Sequence, residues 1–199
     1  MKYIALPKIK KVRLPLAMSG LVPIFMLSHF SHHIVGGILS PLLPFIREDL
    51  HLSYAQMGIV MSAFSLVGGL SQLPAGYLAD RFGRRLMITI GIAGVAVAAV
   101  LIGVSNSYLL LIISLVLASL LGGGDHPSAV AVISDTVPDQ QRGRSLGFHA
   151  IGGTASMFIV PLIAAPIAAA LTWHAAYLIL AAPAFLLGLL VYFLLGHIL

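Results

Sequence analysis

The sequence predicts an all-α membrane protein with six transmembrane helices. Of its 199 residues, 59% are hydrophobic and 9% are charged, whereas a soluble domain carries about a quarter charged residues. The apolar residues form six runs, and each run reaches the roughly 20 residues that a helix needs to cross a hydrocarbon core of about 30 Å. The runs lack the alternation of barrel strands, and backbone polar groups in lipid must bond within their own segment. Each run is therefore predicted to be a helix.

Short polar turns end the runs in chain order. The first run follows a basic segment, residues 1–15, and residues 16–199 are predicted to form one bundle. No turn is long enough to hold a domain, the turns being residues 47–49, 80–85, 105–107, 138–144 and 172–174. The predicted spans are residues 16–46, 54–77, 86–104, 108–136, 146–171 and 175–195.

The distribution of positive charge predicts the orientation of the bundle. Arg47 is the one Lys or Arg residue on one side of the predicted membrane, and the other ten lie on the opposite side. Because Lys and Arg accumulate in cytoplasmic loops, we expect a multi-pass protein of the inner (cytoplasmic) membrane with both termini in the cytoplasm. The basic N-terminus precedes a long apolar run without a clear cleavage site, so we interpret that run as an uncleaved span.

Composition excludes several classes of protein. Cysteine is absent, which excludes disulfides and thiolate metal sites. The basic residues lie at helix ends without an interleaved aromatic surface, which argues against a nucleic-acid partner. The sequence contains neither a phosphate-binding Gly-x-x-x-x-Gly-Lys loop nor the context of a catalytic triad. We therefore expect no enzyme activity and no cofactor.

The turn between the second and third spans carries an unusual density of charge. Gly76 leaves room for a neighbouring helix, Asp80 is expected to end the second helix, and Gly83 permits a sharp reversal. The arginines would begin the third helix at the anionic inner leaflet. The carboxylate is expected to pair with a nearby arginine or to face the positive N-terminus of a neighbouring helix. Breaking such a contact would switch the bundle between two packings. The residues of this expected gate are Gly76, Asp80, Arg81, Gly83, Arg84 and Arg85.

This turn resembles the loop between helices two and three of the major facilitator superfamily. That loop has the pattern Gly-x-Leu-Ala-Asp-Arg-x-Gly-Arg-Arg, which residues 76–85 match throughout. The turn at residues 138–144 is similar to the superfamily's loop between helices four and five. The resemblance implies the N-terminal six-helix half of that fold and transport of a small molecule by alternating access, with the 76–85 turn as the cytoplasmic gate.

Two further motifs resemble the fosmidomycin-resistance type of drug exporter within that superfamily. They are His126-Pro127 in the fourth span and Gly152-Gly153 leading to Pro161 in the fifth. Two positions depart from the pattern of proton-coupled exporters, since Ala118-Ser119 stand where these often carry an arginine and Val160 replaces a glycine before Pro161. The resemblance implies proton-coupled efflux. Uptake of an organic anion or metabolite is the alternative, and a membrane scaffold or inactive fragment that does not transport is a third.

Ionisable residues in two spans form the predicted substrate or proton pathway. A rise of 1.5 Å per residue places His29 roughly 12 Å, and Asp125 and His126 roughly 15–17 Å, from the inner ends of their helices. The resemblance implies that these two helices line a central cavity. Buried ionisable groups are costly and often functional, but histidines that bond backbone carbonyls can also serve only to hold helices together. The pathway residues are His29, His32, His33, Asp125 and His126. No tight ligand spacing is evident among them, so no metal site is predicted.

Simpler roles are predicted for other polar and aromatic residues. Asp135, at the inner end of the fourth span, is expected to pair with Arg142 or Arg144. His149, about one turn inside the fifth span, is expected to lie near the headgroups, and a position in the cavity is the alternative. Trp173 and Tyr177 fit an aromatic belt at the outer interface.

The resemblance covers six of the superfamily's usual twelve helices. The expected partners are therefore the lipid bilayer, a small-molecule substrate and a second six-helix half. Because the two halves of such transporters are related by an axis along the membrane normal, that second half is either a missing C-terminal half or a second copy of the chain. The C-terminus lies where a central linker would begin, which favours a fragment of a longer gene.

Overall fold

Six membrane-length helices build the part of the chain that the computed structural model describes, residues 21–197. This confirms the predicted all-α fold with six spans. The basic segment at residues 1–15 and the beginning of the first predicted span lie outside the described residues. The helices are α1 (Leu21–Asp49), α2 (Tyr54–Phe82), α3 (Arg84–Gly103), α4 (Tyr108–Thr136), α5 (Asp139–Ala170) and α6 (Trp173–Gly196).

Two helix ends on the side of the 76–85 turn differ by several residues from their predicted positions. Helix α2 runs past Asp80 to Phe82, because Gly83, with φ of 97°, is the residue that leaves the helical conformation. Helix α5 begins at Asp139 instead of residue 146. Pro138 precedes it, and an acidic residue in the first turn is favourable at the positive end of a helix. Polar residues that were predicted to form a turn are therefore the first turns of α5.

The opposite helix ends are fixed by hydroxyl caps. Ser53, Ser107 and Thr172 precede α2, α4 and α6, and each side chain accepts a hydrogen bond from the backbone N–H three residues later. Gln56 completes a capping box, since its Oε1 accepts from the Ser53 backbone N–H at 2.9 Å. Such caps stabilise a helix by about 1 kcal/mol each. They explain how turns of a few residues can join long helices.

Helices α3 and α4 are irregular at adjacent points. In α3, residues Ile90–Gly94 form a π-helical turn. Helix α4 breaks at Gly123 and Gly124, between its segments Tyr108–Gly122 and Asp125–Thr136. The break has a local cause, because Pro127 lacks the N–H that would bond the Gly123 carbonyl. Asp125 begins the segment after the break and packs against Gly91 of the π-helical turn.

The core lies where α1, α3 and α6 meet the other helices. Helix α1 packs mainly on α5 and α6, α3 packs on α4 and α6, and α2 packs on α4. Trp173 and Tyr177 are 3% and 0% exposed, so their prediction as an outer aromatic belt is wrong. The cause is a contact at the start of α6, where Trp173 Nε1 donates to Asp49 Oδ2 at 3.0 Å and the ring is drawn inward over the end of α1.

Candidate functional site

The three histidines of α1 point in two directions. His29 and His33 are one helical turn apart, and their Nε2 atoms lie 3.0 Å from each other. His32 faces α3, where its Nδ1 lies 3.0 Å from the Gly91 carbonyl oxygen. Gly91 belongs to the π-helical turn, and such turns displace carbonyls from the regular α-helical pattern. The irregularity in α3 therefore supplies the acceptor that orients His32.

Asp125 lies at the centre of the packing between α1, α3 and α4. Its side chain has no exposed surface, and Oδ1 accepts a hydrogen bond from Ser28 Oγ at 3.1 Å. Oδ2 lies 4.0 Å from His32 Nδ1 and has no hydrogen-bond partner among the described residues. Because Asp125 begins the second segment of α4, its carboxylate lies at the positive end of that segment, which partly offsets the cost of burial.

His126 brings the two groups of predicted residues together. Its ring centroid lies 4.9 Å from that of His29, 4.8 Å from His32 and 5.3 Å from His33. The five residues predicted from α1 and α4 thus form a single cluster, at the similar depth that counting residues along each helix predicts. Their role in a transport pathway stays a prediction.

The structure adds His149 to this cluster, which contradicts the prediction of a headgroup position. His149 is 4% exposed, and its ring stacks on His29 at 4.1 Å. The prediction failed because α5 begins seven residues earlier than expected, at Asp139, which carries His149 deeper into the bundle. One signal was available in the sequence, since Gly152 and Gly153 follow at spacings of three and four and share its helix face.

Those two glycines allow α1 and α5 to come into close contact. A Cβ atom at position 152 would lie 2.1 Å from the Met26 carbonyl oxygen, and one at position 153 would lie 2.6 Å from the His29 ring. Further along α5, Val160 packs against Gly37 of α1, whose Cβ would lie 3.3 Å from it. Pro161 follows inside the continuous helix. The Gly152-Gly153 motif therefore provides the space in which His29 lies.

Backbone carbonyls determine the tautomers of three of the imidazoles. His29 Nδ1 lies 2.8 Å from the His149 carbonyl oxygen, and His149 Nδ1 lies 2.9 Å from that of Phe25. A carbonyl oxygen can only accept, so these nitrogens donate, as does Nδ1 of His32 to Gly91. In the neutral rings Nε2 is then an unprotonated lone pair. His33 Nε2 donates to that lone pair of His29.

Three imidazoles of the cluster also lie close enough to one another to hold a metal ion. One ring nitrogen from each of His29, His33 and His126 lies within 4.8 Å of the others. The prediction that no tight ligand spacing exists considered positions along the chain, and it did not foresee that α4 brings His126 against the His29–His33 pair.

A cavity of about 340 Å³ opens beside the cluster, between α1, α2 and α4. Glycines at positions 68 and 69 of α2 line one wall. The neighbouring contact is held by polar groups, since Ser71 Oγ donates to the Ser119 carbonyl at 3.0 Å and Ser119 Oγ donates to that of Phe64 at 2.9 Å. The polar lining residues are His32, His33, Ser65, Gln72, Ser119 and His126.

In the 76–85 turn, Arg84 forms the expected pair with Asp80 and a second pair, with Asp135, that the sequence did not predict. Arg84 Nη1 lies 2.5 Å from Asp135 Oδ2, and Arg84 Nη2 lies 3.9 Å from Asp80. The expected pairing of Asp135 with Arg142 or Arg144 is therefore wrong. Arg142 pairs instead with Asp139, at 2.7 Å, because the early start of α5 places these two residues one helical turn apart.

The remaining residues of the 76–85 turn and of the 138–144 segment make local contacts. The Arg81 guanidinium lies 5.6 Å from the Phe82 ring centroid, and that of Arg144 lies 5.4 Å from the ring centroid of Phe148. At Gly76, a Cβ would meet Pro127 of α4 at 3.9 Å, which is ordinary van der Waals contact.

Arg85 is bound to the C-terminal end of α6. Its Nε donates to the Tyr192 carbonyl at 2.9 Å, and its guanidinium lies 3.7 Å from the centroid of the Tyr192 ring. A Cβ at Gly196 would lie 2.5 Å from Arg85 Nη2. The arginines at positions 84 and 85 therefore contact different helices, since Arg84 joins α3 to α4 and Arg85 joins α3 to α6.

Six membrane-length helices, a polar cavity beside buried imidazoles and an arginine-bearing turn define a multi-pass membrane protein of the transporter class. The model of the Major Facilitator Superfamily matches residues 25–197. The chain belongs to this superfamily, as the 76–85 turn predicted. The superfamily and the matching relatives are transporters, which confirms that the chain is not an enzyme.

Two relatives illustrate the range of this similarity. The chain is 32% identical to the tetracenomycin C resistance and export protein of Streptomyces glaucescens over 68% of its own length and 25% of that protein. It is 30% identical to the probable sulfoacetate transporter of Cupriavidus necator over 80% of its own length and 37% of that protein. The chain thus spans much less than two thirds of either relative.

A solved transporter structure also matches this chain over less than half of its own length. The chain superposes with a TM-score of 0.78 on a bacterial homolog of the human lysosomal transporter Spinster in its inward-facing, unoccupied conformation. The match has 19% sequence identity and covers 91% of this chain and 43% of that one. The fold is therefore that of one half of such a transporter, and the predicted N-terminal half agrees with it.

Proposed function

We propose that this chain is the N-terminal half of a secondary transporter that exports a small molecule in exchange for protons. The observation that supports this proposal best is the position of Asp125. A carboxylate without exposed surface lies beside His32 and His126, which line the cavity. An ionisable group inside a membrane bundle is costly unless it serves ion or substrate movement.

Protonation of this cluster would couple the two fluxes. Asp125 accepts from Ser28 of α1 and lies 4.0 Å from His32, which is bound to Gly91 of α3. A proton on the carboxylate removes its attraction for a protonated imidazole, so the hydrogen bonds between α1, α3 and α4 change with protonation state. Because His32 also lines the cavity, we expect protons and substrate to compete for the same imidazoles.

Alternating access requires an inner gate and a second bundle. The Arg84–Asp135 and Arg84–Asp80 pairs connect the inner ends of α2, α3 and α4, and we propose that they hold one of the two packings. The second bundle is a C-terminal half or another copy of the chain, which closes the cavity from the side. In this arrangement the 76–85 turn and both termini face the cytoplasm.

Export is favoured over import by two resemblances. His126-Pro127 and the Gly152-Gly153-Pro161 motif resemble the fosmidomycin-resistance type of exporter, and one relative is a resistance and export protein. The cluster is consistent with this assignment, because His126 lies in it and Gly152 and Gly153 make room for His29. We propose a drug-like or metabolite cargo of small size, as a cavity of about 340 Å³ allows.

Uptake of an organic anion is the second candidate. Its support is the lining of the cavity, which contains three imidazoles and no acidic side chain among the described residues. Protonated imidazoles would bind a carboxylate or sulfonate through charge-assisted hydrogen bonds. The relative described as a probable sulfoacetate transporter points to the same class of substrate.

The proposal is tested by replacing Asp125 with Asn. We expect proton-coupled flux in proteoliposomes to fall about tenfold or more, as loss of a charge-assisted hydrogen bond of about 1.5–3 kcal/mol implies. The chain is reconstituted alone and with a C-terminal half, and flux is followed with a pH-sensitive dye and candidate substrates. Asp139→Asn is the matched control, since Asp139 is exposed and contacts Arg142.

Three outcomes separate the candidate functions. Substrate leaving the cytoplasmic side as protons enter supports export, and anion entry supports the second candidate. Unchanged coupling in Asp125→Asn removes this carboxylate from the mechanism. No flux in any pairing identifies a scaffold or an inactive fragment.

A further inference from the structure

We propose that His29, His33 and His126 form a binding site for a divalent transition-metal ion of the zinc type. This assignment goes beyond the proposed transport function, since it concerns a metal ion bound to the protein and not the movement of substrate or protons. One nitrogen from each ring lies within 4.8 Å of the other two. Two of the three ligands are four residues apart on one helix face, a spacing that is suited to holding one ion between two imidazoles.

The distances are close to those of an occupied site. Zinc–nitrogen bonds of 2.0–2.1 Å in a tetrahedral site place ligand nitrogens about 3.3 Å apart. The Nε2 atoms of His29 and His33 are 3.0 Å apart, so this pair needs almost no movement. The His126 nitrogen lies at most 4.8 Å from the other two, so it must approach them by roughly 1.5 Å at most to reach the ideal spacing. A change in the side-chain torsions of His126 can supply this movement.

Hydrogen bonds behind the ligands favour metal binding. His29 donates from Nδ1 to the His149 carbonyl, and His149 is itself held by its Nδ1 contact with Phe25. A metal-ligating histidine usually donates its other N–H in this way, because the bond fixes the tautomer and directs the lone pair at the ion. Nε2 of His29 is thereby an available ligand. His33 must move its Nε2 proton to Nδ1, which an entering ion would drive.

The surroundings compensate the charge of an ion and leave one position open. Asp125, next to His126, has a carboxylate oxygen without a hydrogen-bond partner and lies 4.0 Å from His32. Its negative charge opposes the cost of placing a cation in the bundle. His33 and His126 both line the cavity, so a fourth ligand, water or a donor atom of a cargo molecule, would enter from there.

The ligand set also indicates which ions are bound. Imidazole nitrogens suit Zn²⁺, Co²⁺, Ni²⁺ and Cu²⁺, whereas Mg²⁺ and Ca²⁺ require oxygen ligands. Cobalt is the probe of choice because its absorption reports coordination geometry. The purified chain, carrying a tag without histidine, is titrated with Co²⁺ in detergent, and bound Zn²⁺ is counted by elemental analysis. We expect one equivalent of metal, and excess Mg²⁺ should not displace it.

Variants test whether the ion is bound by these residues. His33→Ala and His126→Ala should each weaken Co²⁺ binding about 100-fold or more, since loss of an outer-shell partner alone costs 10–100-fold. His197→Ala is the control, because His197 is exposed at the end of α6. Substoichiometric binding, or binding that His126→Ala leaves unchanged, overturns the proposal.

A cysteine variant guards against simple misfolding. His126→Cys should retain Co²⁺ binding and add a sulfur-to-cobalt charge-transfer absorption band. That band has one source, because the natural chain contains no cysteine. Loss of binding in His126→Ala together with absence of this band in His126→Cys rejects the site. These measurements need no second half and no flux, so they stand apart from the test of transport.

Discussion

At the scale of single residues, the site depends on positions where no side chain is present. Gly152 and Gly153 let α5 lie against Met26 and His29, and Gly91 lets α3 lie against Asp125, where a Cβ would be 2.8 Å from the Asp125 Cβ. The sequence predicts that the histidines and Asp125 matter, because ionisable groups in apolar runs are visible. It does not reveal which glycines allow close contact between helices, since several other glycines in these spans have no atom within 4 Å of an added Cβ.

Gly152→Ala should destabilise the bundle by about 1–3 kcal/mol, the usual cost of overpacking. The added Cβ would meet a backbone carbonyl oxygen at 2.1 Å, and a backbone atom cannot move aside as a side chain can. The measurement is the thermal unfolding midpoint in detergent. Gly147→Ala in the same helix is the matched control, because nothing lies within 4 Å of its Cβ.

For the control, alanine's higher helix propensity predicts an unchanged or slightly raised midpoint. Equal midpoints for the two variants would show that α1 and α5 are not in close contact at Gly152. The site would then lack the close contact between α1 and α5 that surrounds His29.

At the scale of helices, hydrophobicity predicts the number of spans but not their irregularities. Run length and polar turns are sufficient to find six helices, since lipid permits little else. The π-helical turn in α3 leaves no such signal, because Ile90–Gly94 is as apolar as its surroundings. The break in α4 has a partial signal in three consecutive glycines followed by Pro127. The early start of α5 was missed because polar residues can be helical at a membrane surface.

Deleting Ile90 should leave the fold in place but disturb the site. A π-helical turn contains more residues per turn than an α-helix, so removing one residue restores regular hydrogen bonding and keeps the flanking segments in register. The Gly91 carbonyl would then return to the helix and no longer accept from His32. We expect a monodisperse protein with little change in unfolding midpoint and with loss of proton-coupled flux.

Deletion of Val97 is the comparison for this experiment. Val97 lies in the regular part of α3 and is exposed, so its loss rotates one end of the helix by about 100° and should prevent folding. If both deletions unfold the protein alike, the π-helical turn is required for packing as well as for orienting His32.

At the scale of the whole molecule, α2 is the most exposed of the six membrane-length helices that the structure describes. Leu66, Leu70 and Leu73 of α2 are 63%, 59% and 79% exposed. Their spacing places them on one helix face, which lipid or a second bundle must cover. The sequence alone predicts that α2 is apolar, but the face that remains uncovered follows from how α2 packs on α4.

The orientation of the bundle is tested by cysteine labelling, for which the absence of native cysteine is an advantage. Asn106→Cys, in the loop between α3 and α4, and Gln141→Cys, in the first turn of α5, place single thiols at opposite ends of the helices, and both positions are exposed. The charge distribution predicts that an impermeant maleimide labels position 106 in intact cells and labels position 141 after the inner membrane is opened. The reverse pattern would invert the proposed topology.

Arg85 has a mechanical consequence for the molecule. Its guanidinium group donates to the Tyr192 carbonyl and lies over the Tyr192 ring. It also occupies the space that a side chain at Gly196 would need. The C-terminal end of α6 is therefore bound to the first turn of α3, from which Arg84 also contacts Asp135. A displacement of this end of α6 should therefore also strain the Arg84–Asp135 ion pair, so that movement of one helix would be felt at α4.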